Sequence, residues 1–372
     1  MTSRRDFLQT LAGTTAAGIA TGHALGQEPS ATQTTPARFL DATPMHPPKP
    51  ESGELAQQWN NKVSELVQIP APNLDPGQIE RHLLYCGLLS AIMVHYWNGN
   101  KRGQGGKYPW REKQLENGRY RGGDYFGHNI ACLAVDAHGR VIDFDFNHND
   151  LFSSSVEHAE SRLVRRIFSL TQVHDAYATR NITQPFNPSN YSTLLNEVTI
   201  YTSLESCSQC SGIMALGSVK EVIYLQRDPG QASIGNILWN LGPKKGSIRP
   251  PLPIPADLLG FAGFAGLQAA YDDFRSKVKK QPFFVPSDAS KPADTADSIT
   301  SFLCNDAAFA VFNGAKEDFD KIVETKLPHY RPTGLDNLPL AESLSNQDLL
   351  AHLRSFHSYA TRAGKRGTPH QL

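Results

Sequence analysis

The sequence predicts an α/β fold, because short runs of β-branched and aromatic residues alternate with stretches of helical periodicity. Residues 197–202 are rich in Val, Thr, Ile and Tyr, as a buried strand requires, and residues 219–225 have the same character. Between them, residues 211–217 permit a short helix closed by glycine. Upstream, residues 78–97 carry a mostly apolar stripe through Leu83, Leu84, Leu88, Ile92 and Val94, which is typical of a helix packed on a sheet.

The N-terminus has the pattern of a twin-arginine export signal, predicted over residues 1–26. Ser3-Arg4-Arg5-Asp6-Phe7-Leu8 precedes an apolar stretch rich in Ala and Gly, and Ala24-Leu25-Gly26 supplies a small-residue cleavage site. The stretch is too short and too weakly apolar for stable membrane insertion. It predicts a bacterial periplasmic or secreted protein, the alternative being a disordered basic N-terminus. Residues 27–50, rich in Pro, Thr, Ala and Gln, are expected to be a disordered linker.

The charge balance argues against non-specific phosphate binding by the whole chain, since 36 Lys and Arg offset 36 Asp and Glu. A local basic cluster nevertheless precedes the first predicted hairpin, interleaved with Tyr108, Trp110 and Tyr120. It could line a mouth that accepts phosphate or a single strand of nucleic acid, or it could be a solvated loop. The cluster consists of Lys101, Arg102, Lys107, Arg111, Lys113, Arg119 and Arg121.

Two short motifs contain the residues of a catalytic zinc site. His158-Ala159-Glu160 is followed about fifty residues later by Glu205-Ser206-Cys207-Ser208-Gln209-Cys210. One His and two Cys, with water in the fourth position, form one of the ligand sets of catalytic zinc. Cys207 and Cys210 can share one face of a helix that begins near Cys207, where the helix N-terminus favours the thiolate form.

The first motif is expected to open a helix over residues 156–170, with Ser153 to Ser155 as capping residues. His158 and Glu160 would then lie in its first turn. A glutamate two residues from a ligand histidine is near the metal without binding it, so it can serve as acid and base on an activated water.

These motifs and their flanks resemble the cytidine deaminase-like superfamily, in the branch of deoxycytidylate, guanine and tRNA-adenosine deaminases. The resemblance covers about residues 77–280. Residues 127–142 look like the family's first β-hairpin, and Phe146-Asn147-His148-Asn149 follows it. Residues 227–241, after the strand at 219–225, are similar to the loop that follows that strand in the tRNA-adenosine and deoxycytidylate type.

The resemblance implies a zinc-dependent domain over residues 51–280, with a three-layer α/β/α fold and a central mixed five-stranded sheet. The proline-rich run 248–255 would be its fifth strand, which those prolines confine to an edge. The implied reaction is hydrolytic removal of an exocyclic amine from a purine or pyrimidine base, nucleoside or nucleotide. Single-stranded RNA or DNA is a further possible partner, and the family resemblance implies a homo-oligomer.

The resemblance also assigns roles to single residues. His158, Cys207 and Cys210 would bind one Zn²⁺ per chain, and Glu160 would be the proton shuttle. Asn147, with Asn149 as second choice, and the backbone amide of Ala159 would contact substrate.

One residue departs from the family pattern: Ser206 stands where the family usually has proline before the first ligand cysteine. Proline would fix the entry to the helix, so its replacement costs rigidity rather than a ligand. Two alternatives stay open, the first because of Ser206 and the second because Cys207-Ser208-Gln209-Cys210, taken alone after a strand, is also the pattern of a redox pair. The chain could be a deaminase-fold zinc-binding module without turnover, or a thiol-disulfide oxidoreductase that uses Cys207 and Cys210.

The remaining sequence is less informative. Residues 179–192, rich in Pro and Asn, predict a surface loop, and a helix is expected over 258–278. Residues 281–372 form an extension of unknown role with predicted helices over 299–320 and 347–362. Three cysteines remain outside the zinc site, Cys86, Cys132 and Cys304; the first two are expected in the core, and no disulfide can be deduced from the sequence.

Overall fold

A five-stranded mixed sheet lies at the centre of the computed structural model. Its strands are β1 (Ala131–Val135), β2 (Val141–Phe146), β3 (Thr199–Thr202), β4 (Glu221–Tyr224) and β5 (Leu252–Pro255). The spatial order is β2-β1-β3-β4-β5. β1 is antiparallel to both of its neighbours, whereas β3, β4 and β5 run parallel. The predicted mixed sheet is therefore confirmed, with the proline-rich β5 at an edge.

The structure describes residues 51–53, 56, 59–97, 127–149, 152–168, 195–231, 233–243, 248–282, 295–323, 344 and 346–363. The described residues from 59 onward belong to one compact unit. The predicted signal at 1–26, the linker at 27–50, the basic cluster at 101–121 and the loop at 179–192 lie outside the described residues.

Helices pack around the sheet and extend beyond it. They are α1 (Val63–Leu66), α2 (Pro76–His95), α3 (159–168, where the described segment ends), α4 (Ser208–Leu216), α5 (Ile234–Leu241), α6 (Ala262–Lys277), α7 (Ile299–Phe302), α8 (Asp306–Ile322) and α9 (Asn346–Ala363). Two 3₁₀ turns cover Pro229–Gln231 and Ala256–Leu259. In the described part of the chain, no helix is long and apolar enough to span a membrane.

Local sequence explains where α2 begins. The side chain of Asp75 accepts a hydrogen bond from the amide of Gln78, whose own side chain accepts from the Asp75 amide, and Pro76 occupies the first helical position. This reciprocal cap satisfies two amides that the helix cannot bond internally. The predicted apolar stripe faces the interior, because Leu84, Leu88 and Ile92 are almost fully buried.

The described helices of the C-terminal extension contribute to the core. α8 packs along α2 and against α6, and α9 also contacts α2. Phe302, Phe312 and Phe319 are among the largest fully buried side chains of the described residues. The helix predicted over 299–320 is two helices, α7 and α8, because the Asn305 side chain caps a new start by accepting from the Ala308 amide.

A glycine allows α2 and α8 to approach closely. A Cβ atom added at Gly87 would lie 2.9 Å from the Cβ of Phe319. Position 87 therefore requires glycine because Phe319 occupies the space of a side chain, and not because of its backbone conformation.

We predict that Gly87→Ala destabilises the protein by about 1–3 kcal/mol, because overpacking must push α8 away from α2. Gly314→Ala is the matched control: Gly314 also lies in a helix, but nothing occupies the space of its Cβ within 4 Å. Equilibrium unfolding in urea should show a lowered midpoint for the first variant and an unchanged or raised one for the second. Equal midpoints would mean that α8 does not pack on α2 at this distance.

Candidate metal centre

Sheet topology brings the two sequence motifs together. β2 and β3 are both antiparallel to β1, so they run in the same direction. Their carboxyl ends therefore lie along the same edge of the sheet, the one formed by strand ends. α3 follows β2 along the chain and α4 follows β3. Both helices therefore begin at the same edge, with their N-termini next to each other.

The ligand residues occupy these two N-termini. His158 is the last residue before α3, since its carbonyl accepts the first helical hydrogen bond, from the amide of Arg162, at 2.9 Å. Cys207 caps α4 in an extended conformation, and Cys210 lies inside the first turn. The prediction that the cysteines sit at a helix N-terminus is confirmed.

The prediction that α3 begins at residue 156 is wrong, because the helix begins at residue 159. Ser153 to Ser155 do not cap it; instead the side-chain Oδ1 of Asn147 accepts from the Ala159 amide at 2.7 Å. The cap thus comes from the residue after β2. This places His158 just outside the helix and Glu160 at its second position.

The three predicted ligand atoms form a compact triangle. His158 Nδ1 lies 3.3 Å from Cys207 Sγ and 3.7 Å from Cys210 Sγ, and all three atoms lie within 4.8 Å of one another. Tetrahedral zinc, with bonds of about 2.3 Å to sulfur and 2.0 Å to nitrogen, separates these atoms by about 3.5 Å. The residues present therefore fit a zinc ion.

Electrostatics in the triangle favour metal binding by thiolate. Hydrogen bonding with the Cys210 thiol, and then with His158, lowers the pKa of Cys207 to about 4. The neighbouring Cys207 sulfur and burial raise the pKa of Cys210. One sulfur is thus already in the ligand form, and a metal would displace the proton of the other.

Glu160 is buried beside the triangle, with 3% of its surface exposed. Its Oε1 accepts hydrogen bonds from Thr202 Oγ1 at 3.0 Å and from Ser206 Oγ at 3.2 Å. Burial raises the pKa of this carboxyl group. A carboxyl group with a raised pKa is suited to take up a proton and release it again.

The predicted substrate contacts also lie nearby. Asn147 and Ala159 are both buried and are joined by the hydrogen bond that caps α3. The Ala159 amide is therefore engaged by Asn147 in this structure. Asn149, the second choice, donates from Nδ2 to the carbonyl of Ser154 at 3.4 Å. The roles of all three toward a substrate remain predictions.

Partly buried ion pairs fix α3 to β2, a feature that the sequence analysis missed. Asp145 on β2 is 1% exposed and accepts from Arg162 Nε at 3.2 Å. Arg162 also pairs with Glu157 at 2.6 Å, and Arg166 pairs with Asp143 on β2 at 2.6 Å. The sequence did contain a signal for these pairs. Arg162 and Arg166 are four residues apart and so share one helix face, and Asp143 and Asp145 are two residues apart and so share one face of β2.

The cysteine loop is held from its other side by the chain after β4. The Glu205 amide donates to the Gln226 carbonyl at 2.8 Å, and the Glu205 carboxylate accepts from the Asp228 amide at 3.1 Å. Glu205 is buried, and burial raises its pKa. This residue of the motif therefore fixes the loop that carries Cys207.

None of the five cysteines, all of which lie in described segments, forms a disulfide. Cys86, Cys132 and Cys304 are completely buried, so the core position expected for the first two is confirmed. Cys207 and Cys210 are not joined to each other in this structure.

No protein-family model and no curated protein matches the sequence. A solved structure from a study of A-to-I editing by tRNA:A34 deaminases at the wobble position of transfer RNA is 18% identical, with a TM-score of 0.24, over 34% of this chain and 82% of that chain. One from a study of guanine deaminase from Nitrosomonas europaea is 18% identical, with a TM-score of 0.20, over 36% and 72%. Similarities at such TM-scores add nothing to an assignment of function, which rests on the geometry of the site.

We predict that the purified protein binds one zinc ion per chain and that Cys207→Ser, Cys210→Ser and His158→Ala each lose most of it. Loss of one ligand of three should weaken binding severely, because an incomplete set leaves the metal accessible to chelators. Elemental analysis after dialysis against a mild chelator measures the stoichiometry. Cys86→Ala, which removes a buried thiol on α2, should retain the metal. Equal zinc contents in all four variants would exclude this site.

Proposed function

We propose that this chain is a zinc-dependent hydrolase that removes an exocyclic amine from a purine or pyrimidine base. The observation that carries the proposal is a buried carboxylate, Glu160, that interacts with the candidate ligands: its side chain is hydrogen bonded with Cys210 and lies within the electrostatic reach of Cys207 and His158. A purely structural zinc site takes four protein ligands and has no use for a neighbouring proton acceptor. Hydrolysis at zinc uses three protein ligands, a fourth position for water and a group that takes up the proton of that water, and these four residues are suited to those roles.

The stoichiometry of deamination defines what the site must do. Water supplies the oxygen of the C=O product, one of its protons ends on the adjacent ring nitrogen, and the other leaves with the amine as ammonia. Zinc, when bound, supplies the Lewis acidity that makes water a nucleophile at neutral pH.

Glu160 is the group that moves these protons. Its Oε1 is hydrogen bonded by Thr202 and Ser206, so Oε2 is the oxygen suited to accept a proton from the attacking water. Burial raises the pKa of the carboxyl group, which brings it closer to that of the groups with which it exchanges protons. Zinc would itself draw that pKa down, so the two effects oppose each other.

We propose a nucleobase, nucleoside or nucleotide as substrate, with Asn147 in contact with it; contact with the Ala159 amide would require that amide to release Asn147 Oδ1, to which it donates in this structure. Single-stranded RNA or DNA is the second substrate class, and the basic cluster at 101–121 would bind its phosphates. The proposal includes export through the twin-arginine signal at 1–26, to the periplasm or beyond, and assembly into a homo-oligomer.

We predict that Glu160→Ala and Glu160→Gln lower turnover by about 10³-fold or more while zinc remains bound, because each removes the proton shuttle and no ligand. Ammonia release from a panel of nucleobases, nucleosides, nucleotides and single-stranded nucleic acids is the measurement. Glu317→Gln, an exposed carboxylate on α8, is the control and should keep full activity.

The outcomes separate the alternatives. Turnover retained in both Glu160 variants would refute the mechanism. Zinc bound without ammonia from any member of the panel would favour the binding module without turnover. Absence of zinc together with a reducible disulfide between Cys207 and Cys210 would favour the oxidoreductase.

A further inference from the structure

Ser206, the residue that replaces the family's usual proline, contacts the proposed proton shuttle directly. Its side chain is buried, and its Oγ donates to Glu160 Oε1 at 3.2 Å. Proline at this position has neither a side-chain donor nor an amide hydrogen. The departure from the family pattern therefore adds a hydrogen bond at the site.

Thr202 is a second donor to the same oxygen, but its proton has two acceptors in reach. Thr202 Oγ1 lies 3.0 Å from Glu160 Oε1 and 3.1 Å from the Leu204 carbonyl. One hydroxyl carries one hydrogen, so the two bonds compete. For Ser206 Oγ the described residues provide one acceptor, Glu160. Of these two hydroxyls, Ser206 is therefore the one without a competing acceptor.

The backbone around Ser206 is fixed without proline. Its carbonyl accepts from Ser211 Oγ at 3.3 Å. The preceding residue, Glu205, is bonded to Gln226, and the carbonyl of Cys207 accepts from the Ser211 amide at 2.8 Å. Hydrogen bonds on both sides of Ser206 therefore supply the rigidity that the ring of proline would have given.

We propose that Ser206 is a positioning residue for Glu160. Its hydroxyl holds Oε1, which limits rotation of the carboxyl group and leaves Oε2 for proton exchange. This inference rests on the proposed function. It also explains how a chain without the proline keeps a preorganised site.

Ser206→Ala should lower kcat roughly tenfold, as expected for loss of one hydrogen bond to a charged group, and leave KM and zinc content unchanged. Ser206→Thr keeps the hydroxyl and should restore kcat to near the wild-type value. Ser206 lines a small cavity with Ser211 and Val222, and we expect the added methyl group to be accommodated there. Ser90→Ala is the control, because Ser90 is equally buried but donates to the Cys86 carbonyl on α2.

A double-mutant cycle tests the contact without any substrate. Ser206→Ala and Glu160→Ala are combined in the zinc-loaded protein, and the unfolding equilibrium constant is measured for each variant. If the hydroxyl holds the carboxylate, the double variant should differ from the product of the single effects by about fivefold. The cycle of Ser90→Ala with Glu160→Ala should be multiplicative.

Ammonia release and the Ser206 variants test different claims, so failure of the proposed function can be distinguished from failure of the role of Ser206. If wild-type protein releases no ammonia but the Ser206 cycle shows coupling, the proposed function is refuted and the hydrogen bond from Ser206 to Glu160 is supported. Normal kcat in Ser206→Ala, or a multiplicative Ser206 cycle, overturns the role of Ser206 even when the enzyme is active. A tenfold loss that Ser206→Thr does not restore also overturns it, because the loss then comes from packing.

Discussion

The burial of Glu160 next to two cysteine sulfurs is the constraint on which the rest of the site depends. A carboxylate removed from water is costly unless hydrogen bonds or a cation compensate for the lost hydration. Thr202 and Ser206 provide hydrogen bonds on one oxygen, and the three candidate ligand atoms lie close enough together to hold a divalent cation. Such a cation would stabilise both the buried carboxylate and the thiolate form of the cysteines.

This arrangement follows from strand direction. β2 and β3 flank β1 and are both antiparallel to it, so the helices that follow them start at the same edge. Asn147, at the end of β2, caps α3, while the loop from β3 leads into α4 through Cys207. The buried pair of Asp145 and Arg162 then fixes α3 against the sheet. Residues far apart in sequence thus meet with little freedom to move.

The sequence predicted the sheet and the three residues that the structure brings together as candidate ligands, but not the contacts that orient them. The spacing of Cys207 and Cys210 places both on one face of a helix, so it can be recognised from the local sequence. Each predicted strand likewise has a clear apolar pattern. The cap from Asn147 to Ala159 and the bond from Ser206 to Glu160 join residues 12 and 46 positions apart, so no local pattern reveals them. The fit of Phe319 over Gly87 is likewise a property of two packed helices.

X-ray absorption spectroscopy of the zinc-loaded protein tests the metal site most directly. If the site is as proposed, the spectrum contains two sulfur ligands at about 2.3 Å and two nitrogen or oxygen ligands at about 2.0 Å, one from His158 and one from water. A shell of four protein ligands without an open position, or one that lacks two sulfurs, would contradict a catalytic zinc at His158, Cys207 and Cys210.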